Sequence, residues 1–270
     1  MAQRTGTLLD TIQDDPKGPF PFIIPEVMMP IFPLIALMGW MIVGVMVLIG
    51  IFFLSPAFED YFSAPKAVRE GAPSAAQVAQ EYQAATGVEV NTDIQFYVDA
   101  QHEAHIIETW VPQVKFLGLG FGLMAIAMGL GTIAKRLRRM GKLVNAHMNP
   151  QFAPPIPEQP LRRRFQQLSV MMGIMMLMAA VVVGLIIAFG ATSDYWSNPQ
   201  AVLNAALPGS ELMDNFSTIQ GYKMWNGPFR MLSMSFLFIG ITIGLTVIIY
   251  VLRIQSEILV QFYARSTGRR

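Results

Sequence analysis

Four stretches of this chain run without an Asp, Glu, Lys, Arg or His: about Ile31 to Leu54, Phe116 to Ala134, Leu168 to Ala191 and Met231 to Leu252. At ~1.5 Å of rise per helical residue, each covers close to the ~30 Å of a bilayer's hydrocarbon core. Backbone groups in lipid must pair within their own segment, so such stretches fold as helices. Composition agrees: 53% of residues are hydrophobic and 14% are charged, where soluble domains carry about a quarter charged residues. The expected fold is an all-α integral membrane protein with four transmembrane helices.

Around these spans the chain divides into an N-terminal tail (1–24), a first span pair (25–142), a loop (143–164), a second span pair (165–255) and a basic tail (256–270). The first tail carries Pro16, Pro19 and Pro21 among Phe20, Phe22, Ile23 and Ile24, a composition suited to the headgroup layer. It reaches its first apolar run only after Pro25, which argues against a cleaved signal peptide. Pro30 and Pro33 predict a bend or a 3₁₀ entry to span one.

The polar stretch between spans one and two predicts two short helices. One covers Ser74 to Thr86, opened by Ser74 with Gln77 in capping-box spacing and closed by Gly87. The other starts near Asn91 or Thr92 and runs towards Trp110, with Pro112 marking entry to span two.

Charge sets an expected orientation. Lys135, Arg136, Arg138, Arg139, Lys142, Arg162, Arg163 and Arg164 lie between spans two and three, and Arg253, Arg265, Arg269 and Arg270 follow span four. The two other loops hold few cations. By the positive-inside rule the termini and the middle loop are cytoplasmic in a multi-pass plasma (inner) membrane protein, and segments 55–112 and 192–229 face outward. Cations beside spans are explained by topology and suit anionic lipid headgroups; nothing here calls for nucleic acid.

The chain also repeats itself. Asp60-Tyr61-Phe62-Ser63-Ala64-Pro65 recurs as Asp194-Tyr195-Trp196-Ser197-Asn198-Pro199. At an offset of 134, Met38, Gly39, Met41, Val47 and Gly50 fall on Met172, Gly173, Met175, Val181 and Gly184. At an offset of 115, Trp110, Phe121, Gly129 and Arg138 fall on Trp225, Phe236, Gly244 and Arg253. The difference, 134 − 115 = 19 residues, is an excess in the first outer segment. Two units of two spans each insert with the same topology, so the expected architecture is a pair of parallel two-helix repeats in a pseudo-twofold bundle, with short outer-surface helices.

Three groups of residues are candidates for chemistry. Asp99, His102, His105 and Glu108 precede span two; imidazoles three apart on a helix can share a divalent metal, with a carboxylate from Asp99 or Glu108. An amphipathic surface helix carries such residues without any metal, and the matched positions Ser217, Gln220 and Lys223 keep no ligand. The doubled motif offers Asp60 and Asp194 to a ligand or partner, but also reads as an aromatic belt (Tyr61, Phe62, Tyr195, Trp196) followed by helix starts at Pro65 and Pro199, with Ser63 and Asn198 as caps. Met171, Met172, Met175, Met176 and Met178 line one side of span three; without Cys anywhere in the chain, packing is the better account of them.

No ionisable residue occupies the centre of a span, whereas pumps and proton-coupled transporters depend on one. Gly118, Gly122 and Gly129 open span two to close helix approach. The expectation is a non-catalytic subunit or scaffold of a membrane complex. It would contact lipids and other membrane subunits, or copies of itself, through these glycines and through Asp60, Tyr61, Asp194 and Tyr195. The alternatives are a metal-binding or redox-associated protein using His102 and His105, and a small transporter or channel.

Overall fold

The computed structural model describes residues 31–147 and 160–266. The expectations for residues 1–24 and for Pro30 lie outside them. The described residues are helical with no strand, and four helices are long and apolar enough to cross a membrane. In chain order they are α1 (Ile31–Ile49), α2 (Ser55–Phe62), α3 (Lys66–Arg69), α4 (Ala75–Thr86), α5 (Ile94–His147), α6 (Pro160–Ile187), α7 (Ser193–Trp196), α8 (Gln200–Asn204) and α9 (Glu211–Ser266). A π-helical turn joins α1 to α2 at Gly50–Leu54, and a wider turn kinked at Gly190 (φ −100°, ψ −107°) joins α6 to α7 at Ala188–Thr192.

Pro33 lies within α1, which is helical from Ile31 onward among the described residues. Helix α4 ends as its sequence predicts: Gly87 takes the left-handed conformation (φ 70°) and its N–H donates to the Gln83 carbonyl at 2.8 Å. Its start does not. Ser74 makes no side-chain cap, and Gln77 donates instead to Glu81 Oε1 at 2.9 Å, one turn further along the exposed face. Asp93 rather than Asn91 or Thr92 caps α5, its Oδ1 accepting the Gln95 N–H at 3.0 Å.

Pro112 does not break the helix. Helix α5 runs through it for 54 residues, and α9 runs through Pro228 for 56. A mid-helix proline costs one backbone hydrogen bond, and the surrounding turns of a long packed helix keep the chain in register.

The chain forms two compact units. One holds residues 38–120 and 175–233. In it, Met46, Ile107 and Val111 form a core with Ile42, Leu54 and Trp110 around them, and Val68, Ala79 and Tyr97 form a second under α3 and α4. Gly118 brings α5 against α1: a Cβ there would lie 2.9 Å from the Gly39 carbonyl oxygen. This is a backbone approach that only glycine allows.

Gly118→Ala is therefore expected to lose ~1 kcal/mol net, overpacking outweighing the gain in helix propensity. Gly122 has nothing within 4 Å of a Cβ, so Gly122→Ala is expected to gain up to ~1 kcal/mol. Thermal unfolding of the two variants in one detergent checks the opposite signs.

The other unit holds described residues 31–37, 121–174 and 234–266. Ala134, Val247 and Val251 form its core, and Leu237 and Ile258 are buried with them in the same unit. Polar side chains tie helix to helix: Gln166 Nε2 donates to the Ala127 carbonyl at 3.2 Å, Ser169 Oγ to the Phe236 carbonyl, and Gln255 Nε2 to the Leu137 carbonyl. In lipid such bonds are worth ~1 kcal/mol, because the alternative partners are few.

Candidate functional site

The two copies of the doubled motif fold alike. Each turn runs into a short helix that ends at Ser63 or Ser197, and Pro65 (φ −56°, ψ 149°) and Pro199 (φ −58°, ψ 145°) then turn the chain into α3 and α8. Ser63 Oγ donates to the Asp60 carbonyl at 2.7 Å, and Ser197 Oγ to the Asp194 carbonyl at 3.1 Å. Asn198 Nδ2 donates to the Asp194 and Tyr195 carbonyls at 2.8 and 3.4 Å. These side chains close the preceding helix. The expectation that Ser63 and Asn198 cap the following one is thereby corrected: Pro65 and Pro199 hold the N-cap positions with no side-chain cap. The last carbonyls of α2 and α7 are the nearer unsatisfied groups, and the side chains go to them.

Beyond this shared backbone the copies differ. In the first, Arg69 of α3 lies 4.8 Å from the Tyr61 ring and 4.6 Å from the Phe62 ring. Phe62 is nonetheless 62% exposed. In the second, Tyr195 is buried with Leu203 and Ile219, and Phe216 and Trp196 pack on them. Trp196 also reaches across to α5. Its ring stacks on His105 at 3.9 Å and 22°, with Phe58 edge-on to the same imidazole at 6.4 Å.

His105 is thus held between two aromatic rings, and its Nδ1–H donates to Glu108 Oε2 at 3.1 Å. That bond holds the Glu108 carboxyl below the usual carboxylate range, against the opposing effect of partial burial, and Lys223 adds a smaller pull in the same direction. One turn earlier, His102 Nε2 shares a hydrogen bond with Ser193 Oγ at 3.0 Å. Gln101 Nε2 reaches Gln200 Oε1 at 3.4 Å. Three consecutive contacts therefore dock the second corner onto α5.

The structure places the predicted residues as follows. His102 and His105 turn to different partners, and Asp99 accepts from Gln95 Nε2 at 2.7 Å on the exposed side of α5. Among the described residues no group of three or more His, Asp or Glu is arranged to hold a metal ion. The Asp60 and Asp194 carboxylates are exposed, and their main-chain carbonyls do the structural work. Tyr61 lies under Arg69, and Tyr195 is buried. Gly118 meets Gly39, a Cβ at Gly129 would lie 3.9 Å from the Phe32 ring, and Gly122 is open.

Ser193 and Gln200 were not anticipated as partners for α5, because contacts more than ninety residues apart leave no local signal. Gln113, Tyr222 and Asn226 were missed as well. All three are buried within the unit of residues 38–120 and 175–233, and the spacing of 222 and 226 was the available hint, since it puts two polar side chains on one helix face.

No protein-family model, no curated protein and no solved structure matches the chain.

Proposed function

We propose that the protein is a non-catalytic, membrane-embedded subunit that packs against another membrane helix through the open face of α1. The observation that carries this is the content of that face. Leu37, Trp40, Met41, Gly44 and Leu48 recur at helical spacing and are exposed, Trp40 by 68%, while a Cβ at Gly44 would meet nothing within 4 Å. A bare glycine framed by large apolar side chains is the pattern that admits a neighbouring helix closely, and Trp supplies a rigid anchor. By contrast, the side chains with ligating or acid–base chemistry, His102, His105, Glu108 and Asp99, are engaged with the chain's own groups.

Under this reading the repeats are parallel, with the pseudo-twofold relation broken where α5 receives the second corner. The termini and the basic loop face the cytoplasm of a plasma (inner) membrane, and the two corners face outward. The matching backbone at Pro65 and Pro199 supports the duplication, and the cations around 135–142 and 162–164 support the orientation.

Purification from the native membrane in mild detergent is expected to bring a second membrane protein, or a second copy, with this 30.0 kDa chain. Gly44→Leu is expected to release it while leaving the unfolding temperature of the chain unchanged. A monodisperse, partner-free species from native membrane overturns the reading.

A further inference from the structure

Three buried polar side chains that the two corners do not use lie on α5 and α9 within one compact unit. Gln113 of α5 is 2% exposed, and Tyr222 and Asn226 of α9 are 4% and 5% exposed. Gly184 of α6 lies between Gln113 and Tyr222: a Cβ built there would fall 2.7 Å from Gln113 Cγ and 2.8 Å from the Tyr222 hydroxyl. All four belong to the same compact unit. Gln113 Nε2 donates to the Thr109 carbonyl at 3.4 Å. Gln113 Oε1, the Tyr222 hydroxyl and Asn226 Oδ1 find no hydrogen-bond partner among the described residues, and neither does Arg230 Nε, one turn beyond Asn226. Arg230 keeps its guanidinium over the Phe116 ring at 4.7 Å.

One orphaned polar atom in a protein is ordinary. Three on facing helices, each more than nine-tenths buried, are not, because burial of an unpaired hydroxyl or amide oxygen is expensive and grows more so in a low dielectric. The set mixes acceptors (two amide oxygens) with groups that can donate (the phenol and the guanidinium). Its complement is a small neutral species that donates and accepts at once. Glycine at 184 keeps the approach narrow, so the species is small. We infer that Gln113, Tyr222 and Asn226 form an internal hydration site, in which ordered water bridges α5 to α9 beside Gly184. A buried water takes two to four hydrogen bonds, and these side chains supply that number. The site lies next to the polar ends of spans two and four, one turn from the Arg230 guanidinium, so it carries water to the edge of the apolar zone.

Tyr222→Phe separates this site from a merely frustrated core, because the two predict opposite signs. A hydroxyl with no partner is a liability, and removing it raises or leaves unchanged the unfolding temperature. A hydroxyl that bonds to water is an asset, and the expected result is a fall of roughly 2–4 °C in detergent. Radiolytic hydroxyl-radical labelling of the wild-type protein gives a second readout that needs no variant. Bound water is activated in place, so Tyr222 is expected to be modified several-fold faster than Tyr97, which is equally inaccessible but spends its hydroxyl on the Asn91 carbonyl at 2.8 Å. A Tyr222→Phe variant as stable as wild type or more so, or labelling of Tyr222 no faster than Tyr97, overturns the inference.

Discussion

Trp196→Ala is expected to lower stability by about 3 kcal/mol, seen as a drop of roughly 6–10 °C in the unfolding temperature in detergent. The indole is the piece that docks the second corner: it stacks on His105 at 3.9 Å, meets Tyr195 edge-on at 4.9 Å and covers the Leu203 and Ile219 cluster. Truncation removes all three contacts and uncovers an imidazole that keeps Glu108 and the edge-on Phe58 ring. Half-burial keeps the loss at the lower end of the range for tryptophan. The matched substitution Phe62→Ala is expected to cost under ~1 kcal/mol, since that ring is mostly exposed and its partner Arg69 retains Tyr61. Equal losses from the two variants would refute the asymmetry between the copies. His105→Phe preserves the stack and should recover most of what His105→Ala loses, which separates a packing role from one that needs the imidazole nitrogens.

Gly240→Leu is the second large effect. A Cβ at 240 would lie 2.5 Å from Val170 Cγ2, and behind that methyl stand the Gln166 carbonyl at 3.5 Å and the Val170 nitrogen at 3.6 Å. Valine in a helix has one strongly preferred rotamer, so its methyl has nowhere to turn. The remaining atoms of leucine would press on backbone, which cannot yield without separating α6 from α9. A loss of about 3 kcal/mol or more is expected, together with disruption of the neighbouring Ser169 bond to the Phe236 carbonyl. Gly227→Leu is the control: nothing lies within 4 Å of a Cβ there, and the unfolding temperature should stay within ~2 °C of wild type.

The sequence made the spans readable because the membrane imposes a single rule on them: a long run without charge and a backbone paired within itself. It also revealed α4, whose Gly87 satisfies a local stereochemical demand. What escaped it depends on packing or on small energy differences. Nothing in Gly-Ile-Phe-Phe-Leu or Ala-Phe-Gly-Ala-Thr announces a π turn, which differs from an α turn by one residue in the loop it closes. Ser63 and Asn198 were assigned to the wrong helix because the end of one and the start of the next are two residues apart, and composition alone does not say which set of unpaired groups wins. Pro112 was read as the entry to span two, and the helix is continuous through it because α5 is held on both sides by tertiary contacts. His102 and His105 were noticed for their chemistry, whereas their partners, Ser193 and Trp196, come from a segment about ninety residues away.

The turns at Gly50–Leu54 and Ala188–Thr192 set the direction in which the corners leave the spans. An α-helix advances about 100° per residue, so a π turn, by accommodating one residue beyond the α repeat, resets the angular phase of everything that follows. The direction in which Tyr61 or Trp196 points is therefore decoupled from the direction of the apolar stripe on the span before it. Each turn works as a phase adjuster between two sequences that answer to different surroundings, the bilayer on one side and the corner on the other. Deleting a single residue within Gly50–Leu54 would convert it to α-helix and swing Tyr61 and Phe62 around the axis, with no change to the residues that form the corner itself.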